Sequence, residues 1–160
     1  MNRIVKGWDV MSNVPRIPDI EEFYSNLAGS GRRFFSTENM IGWVGAFESF
    51  GIKAKYLEPR YKNFFGNHFE EGAFTHEHID SAPEGFVHVR CNVMLQKPES
   101  GGMPCINGSE ISVDVNDLWI VFASKERHSS TPVHCGERLI YSYGALVEEW
   151  KAEEVWKALK

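Results

Sequence analysis

Between residue 52 and about residue 143 the chain consists of short runs of strand-forming residues separated by Gly, Pro and Asn. The runs read IKAKYLE, FVHVRCNVML, SEISVDV, LWIVFAS and RLIYSYGAL, and KPESGG at 97–102 is a turn dense enough to join two strands. β-Branched and aromatic residues favour strands, and their repeated interruption by turn residues is typical of an all-β barrel or sandwich. We therefore predict a jelly-roll core.

Helical patterns flank this β-rich block on both sides. Asp19 is placed to cap a short helix through IEEFYSNLA, and a second helix is predicted over about 37–50, ending at Gly51. The tail VEEWKAEEVWKALK carries an approximate apolar stripe, so we expect a helix that packs on the sheet or on a second copy of the chain in a homodimer. The predicted class is α+β, with helical support at 1–51, the barrel at 52–146 and a closing helix at 147–160.

Size and composition restrict the function classes. The 160 residues fit one domain, and a formal charge of −5 argues against a surface built to bind nucleic acid or anionic lipid. The N-terminal stretch has no apolar signal-peptide core, and no segment is long and apolar enough to span a membrane. Three cysteines, Cys91, Cys105 and Cys135, form no CxxC pair and are too few for a disulfide framework. We expect a cytoplasmic protein with reduced thiols and without nucleic-acid or membrane partners.

The segment THEHID carries the clearest chemical signal. In an extended chain, alternate side chains project to the same side, so His76, His78 and Asp80 would face one way. One imidazole and one carboxylate two residues apart, joined by a distant imidazole, form the facial triad of non-haem iron(II) oxygenases. His128, which follows the apolar run LWIVFAS, is the candidate for the third ligand. A barrel can bring it, and Arg138 ten residues later, beside the metal.

Over about residues 66–146 the chain resembles the 2-oxoglutarate-dependent iron(II) dioxygenases, most nearly their prolyl 4-hydroxylase-like branch. The first motif has Gly72 and Phe74 at the family's spacing before His78 and Asp80. Next, FVHVRCNVMLQKPESGG is similar to the family's apolar strand and Gly-Gly turn. The last motif contains, in order, His128, Pro132, Val133, Gly136 and Arg138.

The resemblance implies a double-stranded β-helix core and a specific division of roles. His78, Asp80 and His128 would bind Fe(II), and Arg138 would hold the distal carboxylate of 2-oxoglutarate. An arginine suits that task because its planar fork donates to both carboxylate oxygens. Oxidation of a substrate by O2 would be coupled to decarboxylation of 2-oxoglutarate to succinate and CO2, with ascorbate as an auxiliary reductant. Hydroxylation of a peptidyl proline or another peptide or protein side chain is the favoured reaction by analogy of fold, and a small-molecule substrate is the other class.

Two further histidines compete for the ligand positions. His78 is preferred to His76 because Asp80 must lie two residues after the ligand, which leaves His76 to line the pocket or support a ligand. His134 lies in a turn only four residues before Arg138, so we interpret it as an exposed loop residue and prefer His128.

Strand alternation identifies the remaining candidates. In FVHVRCNVML, the apolar face meets the core, and the face that carries Arg90 and Asn92 turns either to solvent or to the barrel mouth. Its position in the resembling fold favours the mouth, where Arg90 and Asn92 would contact 2-oxoglutarate or substrate. Ser142 shares the face of Arg138 and joins them.

Two rival functions are considered. A metallo-cupin enzyme would use His76, His78 and His128, but no glutamate lies four residues beyond His78, and the Pro-x-Gly approach to the second histidine box is missing. A jelly-roll binding module without turnover would leave the histidines incidental or bound to a structural metal. Succinate production from 2-oxoglutarate separates the dioxygenase from both.

Overall fold

A computed structural model of the chain describes residues 1–8, 31–34 and 43–159. In chain order its elements are β1 (Ile4–Val5), β2 (Gly31–Phe34), α1 (Trp43–Glu48), β3 (Leu57–Phe69), β4 (Phe86–Gln96), β5 (Ser100–Gly101), β6 (Pro104–Ile106), β7 (Ser109–Glu110), β8 (Leu118–Val121), β9 (His128–Ser130), β10 (Val133–Cys135), β11 (Arg138–Glu148) and α2 (Glu149–Ala158). A single 3₁₀ turn, Ala54–Tyr56, precedes β3.

The strands form one large sheet and two small ones. The six-stranded sheet has the order β1-β8-β4-β11-β3-β2, and all its described pairings are antiparallel. Strands β7, β6 and β9 form a three-stranded sheet, and β10 pairs with β5. The order shows that most neighbours are not consecutive in sequence, as in a jelly roll. The core is a double-stranded β-helix, as the sequence predicted.

The central strands β4 and β11 are buried on both faces, and the two faces differ in character. Val87, Val89, Cys91 and Val93 of β4 pack in the main apolar core, with α1 and α2 against them. That core also takes the aromatic side chains of β11, where Tyr143 stacks on Phe64 at 4.7 Å between ring centroids. On β4 the opposite face is more polar, and it turns toward the small sheets. Burial of the apolar face thus fixes the register that presents the polar face inward.

A second apolar cluster lies between the large sheet and the small sheets. It comprises Met94, Met103, Ile106, Val113, Trp119, Val121 and Ile140. Because its members come from both layers, this cluster holds the small sheets against the large one. It forms part of the floor of the cavity described below.

Several sequence predictions hold for the described residues. The strands predicted from FVHVRCNVML and RLIYSYGAL are β4 and β11, and the closing helix is α2, although β11 extends two residues beyond the predicted boundary. Within the predicted helix 37–50, the described part is helical at Trp43–Glu48. The helix predicted after Asp19 lies outside the described residues.

Three predictions need correction. IKAKYLE is not a strand: it contains the 3₁₀ turn, and the strand begins at Leu57 and runs for 13 residues. Pro59 and Gly66 read as breakers, but the β3–β11 register shifts beside Pro59, where an irregular pairing tolerates proline. SEISVDV is a strand only at Ser109–Glu110. The segment 1–51, predicted as helical support, contributes β1 and β2 to the large sheet.

Cys91, Cys105 and Cys135 carry free thiols. Within the described ranges, no helix combines the length and the hydropathy that crossing a bilayer requires.

Candidate metal centre

His78 and His128 are held opposite each other by the backbone. The His78 N–H donates to the carbonyl of His128 at 3.1 Å, and the His128 N–H donates to the carbonyl of His78 at 3.0 Å. This reciprocal pair is a one-residue antiparallel bridge between an otherwise irregular segment and the start of β9. It brings the two imidazoles to 4.2 Å between ring centroids, although the residues are far apart in sequence.

Both rings are oriented by their Nδ1 atoms. His78 Nδ1 lies 2.7 Å from the carbonyl of His76, and His128 Nδ1 lies 2.9 Å from the carbonyl of Glu126. A carbonyl can only accept, so each Nδ1 carries the proton and each Nε2 is left as the bare, metal-binding nitrogen. Burial also lowers the pKa of His128, which favours the neutral form that a metal requires.

Asp80 completes the group. Its Oδ1 lies 3.2 Å from His78 Nε2, and its Oδ2 lies 3.8 Å from His128 Nε2. The three residues offer one ligand atom each within 4.8 Å of one another. The Asp80 N–H donates to the carbonyl of Ala123 at 2.8 Å, which fixes the chain as it leaves the bridge. Two nitrogens and one carboxylate in this cluster match the donor set of non-haem iron(II) sites.

His88, from β4, stands behind the carboxylate. Its Nδ1 lies 3.4 Å from Asp80 Oδ2, and its side chain is buried. Burial and the nearby charge of Arg90 lower the pKa of His88 to about 4, so it is neutral at neutral pH. A neutral imidazole can donate to one carboxylate oxygen of Asp80 and thereby restrict its rotation.

Arg138 is a buried cation at the first residue of β11. Its side chain is only 3% exposed, and burial lowers its pKa to about 10, so it remains charged at neutral pH. Nη1 donates to the carbonyl of Gly102 at 3.1 Å, Nη2 donates to Asn67 Oδ1 at 2.9 Å, and the guanidinium lies 4.3 Å from the centroid of Phe69. Nε has no hydrogen-bond partner among the described residues. A buried guanidinium whose contacts are all neutral calls for an anion.

One cavity of about 840 Å³ connects the triad with Arg138. Its walls include Arg90, Asn92 and Ser142, which lie on the inward faces of β4 and β11 as strand alternation predicted. Arg90 Nη1 donates to Ser142 Oγ at 2.9 Å. The structure thus brings together every residue that the sequence singled out for metal or co-substrate binding. Their roles remain predictions.

The competing histidines differ in position. His76 is exposed and contacts Phe74 edge-on at 4.6 Å, and it supports His78 through its backbone carbonyl. His134 is exposed on β10, outside the residues that line the cavity, which agrees with its interpretation as a surface residue.

Sequence reasoning missed several residues that shape the site. Phe65, Asn67 and Phe69 alternate along β3 and line the cavity, but the strand itself was not predicted. Alternation of aromatic and amide residues in NFFGNHF was the available signal. No sequence pattern indicated the support given by Glu126.

Glu126 anchors the turn that leads into β9. Its carboxylate pairs with Arg3 through two contacts of 2.9 and 2.7 Å and also accepts the N–H of Phe122 at 2.9 Å. The same residue accepts His128 Nδ1 with its backbone carbonyl. The N-terminal segment therefore helps to position a candidate ligand.

By sequence, no protein-family model and no curated protein matches the chain. By structure, it is similar to the viral collagen prolyl hydroxylase of Paramecium bursaria Chlorella virus-1 in its 2OG complex, with a TM-score of 0.63 and 13% identity over 91% of this chain and 95% of that one. It is also similar to a Pseudomonas putida prolyl-4-hydroxylase, with a TM-score of 0.59 and 16% identity over 80% of each chain. At such identities the similarity establishes the fold.

Proposed function

We propose that the chain is an Fe(II)- and 2-oxoglutarate-dependent dioxygenase that acts as a hydroxylase. The observation that carries this proposal is the presence, in one cavity, of a two-histidine, one-carboxylate cluster and a buried arginine whose contacts are all neutral. A metal cluster alone fits many enzymes. The added anion site fits a co-substrate that has one end for the metal and a carboxylate at the other.

The residues present fit the metal. His78, Asp80 and His128 would hold Fe(II), since both Nε2 atoms are free of protons and converge on the carboxylate. When bound, the metal and 2-oxoglutarate together supply activation of O2 and the two-electron oxidation of a substrate C–H bond, with succinate and CO2 as co-products. Three protein ligands of six leave room for co-substrate and oxidant.

The protein's own contribution is orientation. Arg138 would bind the distal carboxylate of 2-oxoglutarate through a planar pair of donors, and Asn67 and Gly102 keep that plane fixed. Phe69 covers one face of the guanidinium and excludes water, which strengthens the ion pair. Asn92 and Ser142 lie on the wall between Arg138 and the triad, where they would contact the middle of the co-substrate.

The substrate enters from the rim formed by residues 72–81. Phe74 there is 44% exposed and lies against His76, so an aromatic surface is available beside the metal ligands. The structural neighbours with TM-scores above 0.5 are prolyl hydroxylases. A peptidyl proline or another peptide side chain is therefore the first substrate class to test, and small molecules are the second.

A turnover assay tests the proposal. Purified protein with Fe(II), ascorbate, O2 and 2-oxoglutarate should release succinate even without a prime substrate, at a slow uncoupled rate. Arg138→Met should lose this activity at low 2-oxoglutarate, whereas His134→Ala should keep it. Absence of succinate from a metal-loaded, folded protein would contradict the proposal and favour a binding module.

A further inference from the structure

We propose that Arg90 forms an anion site at the metal end of the cavity, and that the molecule oxidised there carries a carboxylate close to the reacting carbon. This inference rests on the proposed function and adds the chemical class of its substrate.

The guanidinium of Arg90 is held in place by three neighbours. Nη1 donates to Ser142 Oγ at 2.9 Å, and the guanidinium lies 4.6 Å from the centroid of Phe65. Both neighbours line the cavity, as Arg90 itself does. The third neighbour is Gly144, which pairs with Arg90 across β11 and β4. An arginine fixed by an aromatic face and a hydroxyl loses little freedom when it binds a ligand, which favours affinity.

Gly144 provides the space for this arrangement. A Cβ at residue 144 would lie 3.0 Å from Arg90 Cζ and 2.9 Å from His88 Nε2. Any larger side chain would thus displace both groups, and His88 is the residue whose Nδ1 lies 3.4 Å from Asp80. The glycine therefore admits a cation next to the metal cluster rather than somewhere else on the wall.

The charges of the cavity leave a role for that cation. Among the described residues that line it, Asp80 is the only carboxylate, and Arg90 and Arg138 are the permanent cations. A ferrous ion would add two positive charges and 2-oxoglutarate two negative ones, so the loaded cavity would keep one net positive charge. In a protein of net charge −5, a positive cavity attracts anions selectively.

The co-substrate does not account for Arg90. One carboxylate of 2-oxoglutarate would chelate the metal together with the keto group, and the other would pair with Arg138. Arg138 contacts Phe69 and Asn67, whereas Arg90 contacts Phe65 and Ser142, so the two guanidiniums occupy different parts of the wall. A further carboxylate, from the substrate, matches the planar fork of Arg90.

Two matched pairs of probes test this inference and separate its sources. N-acetylproline and N-acetylprolinamide represent a free acid and its neutral amide. The peptides acetyl-Ala-Asp-Ala-amide and acetyl-Ala-Asn-Ala-amide represent a side-chain carboxylate and its neutral isostere. Each is added to the Fe(II)- and 2-oxoglutarate-loaded protein, and its binding is measured anaerobically as the perturbation of the metal absorption spectrum.

In the wild type, the acid of at least one pair should bind at least tenfold more tightly than its amide. Arg90→Gln should abolish that preference and leave the affinity for 2-oxoglutarate within threefold of wild type. Arg127→Gln is the control, because Arg127 is exposed and pairs with Glu77 outside the large cavity; it should keep the preference. Preference in the first pair identifies a free acid, and preference in the second identifies an acidic peptide side chain.

Two results would overturn the inference without touching the proposed function. Acid and amide might prove equal in the wild type although uncoupled succinate formation persists, or Arg90→Gln could lower the affinity for 2-oxoglutarate more than tenfold, which would make Arg90 a co-substrate ligand. Failure of the proposed function is distinct, since it would remove 2-oxoglutarate binding from the wild type itself.

Discussion

His78 and His128 exchange a reciprocal pair of backbone hydrogen bonds, 3.1 and 3.0 Å long, and their imidazoles lie 4.2 Å apart. The ligand spacing is thus set by backbone pairing and does not depend on long side chains finding each other. Sites built on such pairing are rigid before any metal arrives, which reduces the entropy lost on binding.

Removing either imidazole should abolish metal binding. His78→Ala and His128→Ala each leave two protein ligands, and we expect the affinity for Fe(II), or for Co(II) as a stable probe, to fall at least 100-fold in an anaerobic titration. His134→Ala is the matched control and should bind as the wild type does, because His134 is exposed and outside the cavity lining. Loss of metal in His134→Ala with retention in His128→Ala would reverse the ligand assignment.

Arg138 should govern 2-oxoglutarate and not the metal. Arg138→Met keeps much of the apolar length but removes the fork, so metal affinity should be unchanged while the dissociation constant for 2-oxoglutarate rises about 100-fold, as loss of a buried ion pair of 2–5 kcal/mol implies. Thermal shift at saturating metal, with and without 2-oxoglutarate, measures this. An equal 2-oxoglutarate shift in both proteins would show that the anion binds elsewhere.

Glu126 should matter for stability and for metal affinity together. Glu126→Gln breaks a buried ion pair with Arg3, and we expect the free energy of unfolding to fall by about 2–3 kcal/mol, less than for a fully buried pair because Arg3 is partly exposed. Urea denaturation measures this change. Metal affinity should also weaken, since the carbonyl of Glu126 orients His128.

The control for Glu126 is Glu154→Gln, which breaks the exposed pair with Lys151 on α2 and should change stability by less than about 0.5 kcal/mol. Equal effects of the two substitutions would show that the contact between Arg3 and Glu126 adds nothing.

Two glycines offer a paired test of packing. Gly144→Ala places a methyl group against His88 and Arg90 and should destabilise the fold by about 1–3 kcal/mol. Gly45→Ala lies in α1 with open space around its Cβ, and it should stabilise by about 0.5–1 kcal/mol because alanine favours the helix. Thermal denaturation of both variants gives the answer. Changes of the same sign would contradict the packing described for the cavity wall.

The metal-free protein should lose stability as pH falls from about 6.5 to about 4. Burial and the charge of Arg90 lower the pKa of His88 to about 4, whereas histidine in an unfolded chain titrates near 6.5. In that window the unfolded state binds more protons, so stability is complete above about pH 6.5 and declines below it, by on the order of 3 kcal/mol from His88. Burial lowers the pKa of His128 as well, which acts in the same direction.

His88→Asn should reduce this slope in chemical denaturation, by at most about 1.4 kcal/mol per pH unit, the effect of one proton. Identical slopes in variant and wild type would show that His88 does not carry the effect.

The sequence predicted the site better than it predicted the scaffold. His78, Asp80, His128 and Arg138 could be identified because metal and carboxylate ligands require particular residue types at fixed spacings. β4 and β11 could be identified because burial of one apolar face imposes strict alternation. These are local signals, and a single sequence carries them.

Strand β3 and the N-terminal strands could not be identified in the same way. β3 contains Pro59 and Gly66, which locally favour a turn, and only pairing with β11 and β2 makes it a strand. β1 is two residues long and exists because it pairs with β8. Likewise, Glu126 acts through Arg3, which is 123 residues away in the chain. Such relationships depend on long-range contacts, which residue patterns do not encode.

The most direct test of the central claim is an anaerobic absorption titration. Addition of 2-oxoglutarate to the Fe(II)-loaded protein should produce a metal-to-ligand charge-transfer band, which should disappear in His128→Ala and require much more 2-oxoglutarate in Arg138→Met. A folded, Fe(II)-loaded wild-type protein that shows no band at any 2-oxoglutarate concentration would contradict the account.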